Sequence, residues 1–211
     1  MTDLLLATAI SLLVTIDPVG LAPVFVGLTA SQSHSQRRRL ALKGTVVGGL
    51  ILFFFAFAGE ALLRALGISF GAFRIAGGIL LLLVAIDMVF ARESGARTTT
   101  EDENREAREY EDISVFPLAI PLIAGPGAMT AIVLAMGQAT GNPALQASIL
   151  GVLAGVLAVT LVTLLFASRL GRYLGVTGTN VINRVLGILL TALACQFVLD
   201  GIQASGIFGA R

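Results

Sequence analysis

The stretch "TIDPVG" at residues 15–20 interrupts the first apolar run of the chain, and "IAGPGA" at residues 123–128 interrupts the fourth. Each interrupted run is long enough to cross a bilayer. Proline removes a backbone donor and glycine loosens a helix, so both segments are expected to unwind at membrane depth. Irregular backbone is tolerated there only where it faces protein or a watery cavity. Paired interruptions in corresponding positions of two halves are typical of a transporter's binding site.

The composition is that of a membrane protein. Of the 211 residues, 56% are hydrophobic and only 13% are charged, which fits no soluble class. Apolar runs cover 4–28, 41–63, 69–91, 115–136, 149–167 and 183–202. Each run approaches or exceeds the roughly 20 residues that cross ~30 Å of hydrocarbon. We therefore predict an all-α membrane protein with six transmembrane helices, of which the first and the fourth are broken.

Basic residues concentrate on alternate connections between the six runs. Eleven of the fourteen fall between runs 1 and 2, 3 and 4, or 5 and 6, or within the first three residues of the run that follows: Arg37, Arg38, Arg39, Lys43, Arg92, Arg97, Arg105, Arg108, Arg169, Arg172 and Arg184. The positive-inside rule places these connections in the cytoplasm, so both termini are predicted to lie outside. The polar stretch 92–114 has the composition of a solvated cytoplasmic linker.

The two sides of this linker resemble each other. Asp17-Pro18 aligns with Gly125-Pro126, and "GTVVG" from Gly44 aligns with "GVLAG" from Gly151 at nearly the same offset. The glycine pairs of these two segments are predicted to pack closely against neighbouring helices. With one glycine deleted, "RIAGGILLLLVAIDMVF" from Arg74 aligns with "RVLGILLTALACQFVL" from Arg184.

This similarity predicts two three-helix repeats, 1–91 and 115–211, separated by the linker 92–114. Because three is an odd number, the repeats must cross the membrane in opposite orientations. The alignment also places Asp87 over Gln196. These two residues are candidates for a gate or a solute path, with hydrogen bonding between helices as an equal alternative. Thr130 is a further candidate for the path, although hydrogen bonding within its own helix is more common for threonine.

The two interruptions together predict a site for a small zwitterion. Helix N-termini offer unpaired amides to a carboxylate, and freed carbonyls suit an ammonium group or a cation. The predicted substrate-binding positions are Thr15, Ile16, Asp17, Pro18, Val19, Gly20, Ala124, Gly125, Pro126, Gly127 and Ala128. The scarcity of side-chain bulk at the second interruption favours a small solute.

Asp17 is the candidate for binding a coupling ion, either H⁺ or Na⁺. A carboxylate at membrane depth costs at least about 2.5 kcal/mol, which favours a functional role. The alternative, compatible with the first, is that Asp17 caps the helix that follows it.

Enzymatic chemistry finds little support in the sequence. His34 is the sole histidine and Cys195 the sole cysteine, and no phosphate-binding loop occurs. We expect no enzyme activity, cofactor, metal site or nucleic-acid partner. The expected partners are the lipid bilayer and a small-molecule solute, and a homo-oligomer remains open.

Four segments of the chain resemble the MarC family of bacterial and archaeal inner-membrane proteins. They are "DPVG" followed by Pro23, "FRIAGGILLLLVAIDMVF", "PLAIPLIAGPGAMTAIV" and "NRVLGILLTALACQFVLDGI". The resemblance covers essentially the whole chain and implies a six-helix carrier for small neutral amino acids such as glycine and alanine. The family's motif positions correspond here to Asp17, Pro18, Gly20, Pro23, Pro121, Gly125, Pro126 and Gly127.

The chain departs from the family pattern at two positions of the first motif. Many relatives carry Asn in place of Asp17, and often in place of Leu21. Proton coupling through Asp17 is therefore not implied by the family. The alternatives to amino-acid transport are efflux of a drug-like solute and a non-transporting membrane scaffold.

Overall fold

Helices form all the regular structure that is described. The computed structural model describes residues 2–30, 32–90 and 113–205, with the backbone alone at 170–177, 179, 180 and 183. No strand occurs in these ranges. The helices are α1 (Thr2–Ile16), α2 (Pro18–Leu28), α3 (His34–Ala65), α4 (Phe70–Phe90), the irregular α5 (Ser114–Ile123), α6 (Pro126–Gln138), α7 (Pro143–Leu165) and α8 (Ala167–Ala204).

Five stretches within the described residues are long and apolar enough to cross a membrane. They are Thr2–Leu28, His34–Ala65, Phe70–Phe90, Pro143–Leu165 and Arg184–Ala204. The pair α5–α6, bent by 58°, makes a sixth if it counts as one span. Large apolar side chains such as Phe57, 67% exposed, cover the outside of the bundle, as lipid contact requires. The prediction of an all-helical membrane protein is therefore confirmed.

The ends of several helices differ from the ends of the apolar runs. The helix α3 begins at His34, so the basic residues from Arg37 to Lys43 lie in its first turns and not in a loop. Ser33 and Gln36 form a capping box at this end. Likewise α8 continues unbroken from Ala167, so the residues from Arg169 to Arg184 are helical. Arg, Lys and Gln are good helix formers, so charge ends an apolar run without ending the helix.

Most of the predicted linker 92–114 lies outside the described residues. The described chain resumes at Ile113, and Ser114 already belongs to α5. The helix α5 therefore begins one residue before the apolar run 115–136.

Glycines bring α4 and α8 into direct backbone contact. A Cβ added to Gly78 would lie 2.7 Å from the Ala194 carbonyl oxygen, and one added to Gly201 would lie 2.7 Å from the Gly71 carbonyl oxygen. At the other end of the pair, a Cβ on Gly187 would lie 3.0 Å from the Val89 nitrogen. The two helices are thus antiparallel, and their separation is set by the missing side chains.

The glycines predicted to pack in α3 and α7 behave differently. A Cβ on Gly44 would lie 3.1 Å from the Ser114 carbonyl oxygen, so α3 lies close against α5 there. In contrast, nothing lies within 4 Å of a Cβ on Gly151 or Gly155, and both residues are exposed. The prediction of close packing was wrong for α7.

Candidate functional site

The first interruption is a single left-handed residue. Asp17 joins α1 to α2 with φ 50° and ψ 67°, and it is 1% exposed. Its Oδ1 accepts a hydrogen bond of 3.0 Å from the Gly20 N–H, so Asp17 caps α2, as the alternative interpretation held. The Asp17 carbonyl also accepts from the Leu21 N–H at 2.9 Å. Thr2–Leu28 therefore remains one span with a local unwinding rather than a gap.

Two carbonyls at this interruption lose their usual helical donors. The Val14 carbonyl would receive the N–H of residue 18, but Pro18 has none. The Ile16 carbonyl would receive the Gly20 N–H, which is directed to the Asp17 carboxylate. Val19 and Gly20 are half-buried, so this turn is not sealed by surrounding protein. The first interruption thus gathers a carboxylate and two carbonyl oxygens, all of which attract positive charge.

The second interruption is more extensive than the Gly-Pro-Gly motif indicates. Within α5, Phe116 and Ile120 have extended backbone, and the peptide bonds to Pro117 and Pro121 are cis. The last turn is wide, because the Ala124 N–H donates to the Ala119 carbonyl five residues earlier at 2.8 Å. The irregular backbone therefore extends over the whole of α5, a consequence of two prolines spaced four residues apart.

The start of α6 offers free amides without a side-chain cap. Gly125 occupies the N-cap position, where it supplies no side-chain hydrogen bond, and Pro126 follows at the first helical position. The first bond within the helix runs from the Met129 N–H to the Gly125 carbonyl at 3.0 Å. The N–H groups of Gly127 and Ala128 precede it and so have no acceptor within their own helix. This helix end carries partial positive charge and suits an anion.

The two interruptions lie side by side in the fold. A Cβ added to Gly127 would lie 3.6 Å from Cγ2 of Thr15, and it would collide with Leu81 of α4. Val14 and Leu81 also belong to one apolar cluster. The structure thus brings the amide end of α6 next to the carbonyl end of α1. Because residue 127 is a glycine, it adds no side chain to the space between these two helix ends.

The residues predicted to form a gate or path are not brought together. The Thr130 hydroxyl donates to the Pro126 carbonyl at 2.8 Å, within its own helix. Gln196 is exposed, and its Nε2 donates to Asp200 Oδ1 at 2.7 Å. Asp87 is half-buried near the end of α4 that contacts Gly187. The Thr130 hydrogen bond within its own helix is the one that the alternative interpretation described. The Gln196 hydrogen bond lies within α8 and not between helices.

Sequence reasoning missed a cluster centred on Arg37. Its guanidinium donates to the Thr29 carbonyl at 2.9 Å, to the Ala30 carbonyl at 3.1 Å and to the Ser168 Oγ at 3.1 Å. Arg37 therefore neutralises the carbonyl end of α2 and ties it to the start of α8. In the sequence it could not be distinguished from the neighbouring arginines of the same basic run.

A second polar contact joins the opposite end of α3 to the turn between α6 and α7. Glu60 accepts from the Thr140 hydroxyl at 3.0 Å and forms an ion pair with Arg64. Thr140 lies in the turn between α6 and α7. Only the pair of Glu60 and Arg64, four residues apart on one helix, had a sequence signal.

Comparison with known proteins identifies the family. A family model described as "MarC family integral membrane protein" matches residues 2–205. The chain belongs to the MarC family. A UPF0056 membrane protein of Methanocaldococcus jannaschii is 39% identical over 190 residues, covering 90% of this chain and 91% of the relative. The UPF0056 membrane protein YhcE of Escherichia coli is 36% identical over 205 residues, covering 94% of this chain and 91% of the relative.

MarC proteins are thus integral membrane proteins of both bacteria and archaea. A further relative, the UPF0056 membrane protein YvbG of Bacillus subtilis, is 32% identical over 194 residues, covering 92% of each chain. No solved structure matches this MarC chain.

Proposed function

We propose that this MarC protein is a secondary transporter that moves small neutral amino acids, such as glycine and alanine, by alternating access. It would lie in the cytoplasmic membrane with both termini outside. The observation that carries the proposal is the contact of the two interruptions, in which Gly127 at the amide end of α6 lies against Thr15 at the carbonyl end of α1. Broken helices that meet in this way, each exposing unpaired backbone groups, are how many transporters bind their substrates.

The contacts of α4 and α8 support an inverted repeat. Gly78 meets Val198, and Gly187 meets Val89. In the sequence alignment from Arg74 and Arg184 with one glycine deleted, Val89 is the counterpart of Val198 (89 − 74 = 15 and 198 − 184 = 14). Each contact is therefore the counterpart of the other, as a two-fold axis in the membrane plane requires.

The buried faces of α3 and α7 support the same relation. Ala41, Thr45, Gly48 and Gly49 are buried in α3, and Ile149, Leu153, Val156 and Leu157 are buried in α7. Each residue of the second set follows its counterpart in the first by 108 positions (149 − 41 = 108). Asp17 and Gly125, the centres of the two interruptions, have the same separation (125 − 17 = 108).

The two interruptions are chemically unequal, and this inequality orients the solute. The amide end of α2 is already neutralised by the Asp17 carboxylate, whereas that of α6 has no side-chain cap. The carboxylate of an amino acid would therefore bind the N–H groups of Gly127 and Ala128. Its ammonium group would face Asp17 and the carbonyls of Val14 and Ile16. With Leu81 and Thr15 packed around Gly127, only a small side chain fits.

Asp17 is also the proposed site of the coupling ion. Its carboxylate is buried at the junction of α1 and α2, where either a proton or Na⁺ would neutralise it. Binding of the ion would then be linked to binding of the ammonium group, because both contact the same carboxylate.

Counterflow of labelled amino acids in proteoliposomes tests the proposal. Glycine or alanine should exchange, and Gly127→Leu should abolish the exchange because its side chain would fill the space beside Thr15. Gly151→Leu is the matched control, since nothing lies within 4 Å of a Cβ there. Counterflow retained by Gly127→Leu would exclude the paired site. Exchange of larger drug-like compounds instead would indicate an efflux carrier, and no flux of any solute would indicate a scaffold.

A further inference from the structure

Thr45 of α3 carries a buried hydroxyl that is left unpaired. The residue is 6% exposed, and its Oγ1 has no hydrogen-bond partner in the part of the chain that the structure describes. A buried hydroxyl without a partner costs free energy of the order of 1–3 kcal/mol. Such a group in a native fold requires an explanation, and a ligand is one of the few available.

Other buried threonines of the same fold have hydroxyls that form a hydrogen bond. Thr8, Thr29, Thr130 and Thr160 are all buried, and each hydroxyl donates to the carbonyl four residues earlier at 2.7–2.9 Å. This bond within the helix is the ordinary solution for threonine in a membrane helix. The Ala41 carbonyl stands in the same relation to Thr45, yet the Thr45 hydroxyl does not use it.

Thr45 lies on the sector of α3 between α5 and α7. Gly44 and Gly48 contact α5, and Gly49, one turn after Thr45, contacts Leu157 of α7. Gly48 meets Ile123, the residue at which α5 ends. Thr45 therefore lies about one helical turn, ~5 Å, from the second interruption, towards the His34 end of α3.

The segment α5 beside Thr45 has more backbone acceptors than donors. Pro117 and Pro121 supply no N–H, and the extended residues Phe116 and Ile120 interrupt the helical bonding pattern. The Ser114 carbonyl points at α3, 3.1 Å from the Cβ position of Gly44. Lys43, the residue before Gly44, carries a positive charge and is exposed. A hydroxyl oxygen next to a carbonyl-rich segment attracts a cation.

We propose that Thr45 and the α5 backbone form a second binding site for a cationic group, on the cytoplasmic side of the paired interruptions. The hydroxyl oxygen accepts a hydrogen bond from the cationic group or coordinates the cation, and α5 carbonyls would supply the other contacts. The cationic group is either the ammonium of the amino acid on its way through or a free Na⁺. The inference rests on the proposed function, because the orientation of the chain and the existence of a path come from it.

Two conservative substitutions of Thr45 and one matched control test the site. Thr45→Val removes the hydroxyl at almost constant volume, and Thr45→Ser keeps it. Thr160→Val removes a hydroxyl that is also fully buried but already bonded to the Val156 carbonyl. Melting temperature is measured in NaCl against choline chloride, each with and without alanine. Counterflow of labelled alanine gives the apparent KM.

Thr45→Val should fold like the wild type, since it removes an unpaired polar group. We expect it to raise the apparent KM about tenfold, the effect of losing one hydrogen bond to a charged group. It should also lose the thermal stabilisation that alanine or Na⁺ gives the wild type. Loss of the alanine effect alone identifies the ammonium, and loss of the Na⁺ effect alone identifies the free ion. Thr45→Ser and Thr160→Val should keep both KM and stabilisation.

The possible failures are distinguishable. Wild-type counterflow with an unchanged Thr45→Val would overturn the second site and leave the proposed function intact. A Na⁺ stabilisation that disappears in Thr45→Val, without counterflow by the wild type, would support the site and refute amino-acid transport. Equal losses in Thr45→Val and Thr160→Val would show a packing effect and overturn the site.

Discussion

Replacement of Asp17 separates the capping role of this residue from the role of its charge. Asn keeps a side-chain oxygen for the Gly20 N–H and is tolerated at φ 50°, so Asp17→Asn should change the free energy of unfolding little. Glycine loses the cap but accepts the left-handed backbone, at a cost of a few tenths of a kcal/mol. Alanine loses the cap and also places a Cβ in the left-handed region. The two costs together amount to about 2–3 kcal/mol.

These free energies convert into a measurable order of melting temperatures. For a chain of this length, 1 kcal/mol corresponds to roughly 2–4 °C. Asp17→Ala should therefore melt roughly 5–10 °C below the wild type, while the Asn and Gly variants should melt within about 2 °C of it. The assay is thermal unfolding of the purified protein in one detergent, with counterflow measured on the same preparations.

The charge is tested by counterflow rather than by melting. Under the proposed function, Asp17→Asn should lose the dependence of uptake on pH or Na⁺ while it melts like the wild type. An Ala variant as stable as the Asn variant would refute the capping argument. An Asn variant with an unchanged ion dependence would remove Asp17 as the coupling group.

Three other predictions concern the frame around the site. Gly78→Leu should abolish folding, measured as monodisperse yield, because its side chain would meet the backbone of α8, whereas Gly151→Leu should express like the wild type. Arg37→Ala should increase the rate at which a cysteine placed at the buried Ala167 reacts with a thiol reagent, because it removes the hydrogen bond to the adjacent Ser168; an unchanged rate would contradict the role of Arg37 in tying α2 to α8. Glu60→Gln should lower the melting temperature by no more than about 4 °C, because exposed ion pairs contribute less than about 1 kcal/mol.

The all-helical fold and its five to six apolar spans were accessible from the sequence because their signals are strong. Runs of about 20 apolar residues mark a span, and proline next to glycine marks a break. The family resemblance was confirmed over nearly the whole chain. Hydropathy failed at helix ends, where Arg37 continues α3 and Arg169 continues α8, because it measures the transfer of side chains to lipid and not helix formation.

The finer features of the site depend on tertiary contacts that no local pattern encodes. Gly151 was predicted to pack against a neighbouring helix, yet it is exposed and nothing lies within 4 Å of a Cβ placed there. Phe116 and Ile120 each precede a proline, and the clash with the proline ring favours the extended backbone that both adopt. Thr45 resembles every other helical threonine in sequence. It is distinguished only by its buried hydroxyl, which has no hydrogen-bond partner in the part of the chain that the structure describes.

The glycine contacts between α4 and α8 have a mechanical consequence. These helices belong to opposite halves of the chain, and their backbones touch at Gly78 and again at Gly187. A slide of one residue, 1.5 Å, would drive a neighbouring Cβ into the opposite backbone. Tilting of one helix about the line of contact would not cause such a clash. The pair is therefore suited to act as a pivot, so that changes in accessibility would come from rotation of one half against the other.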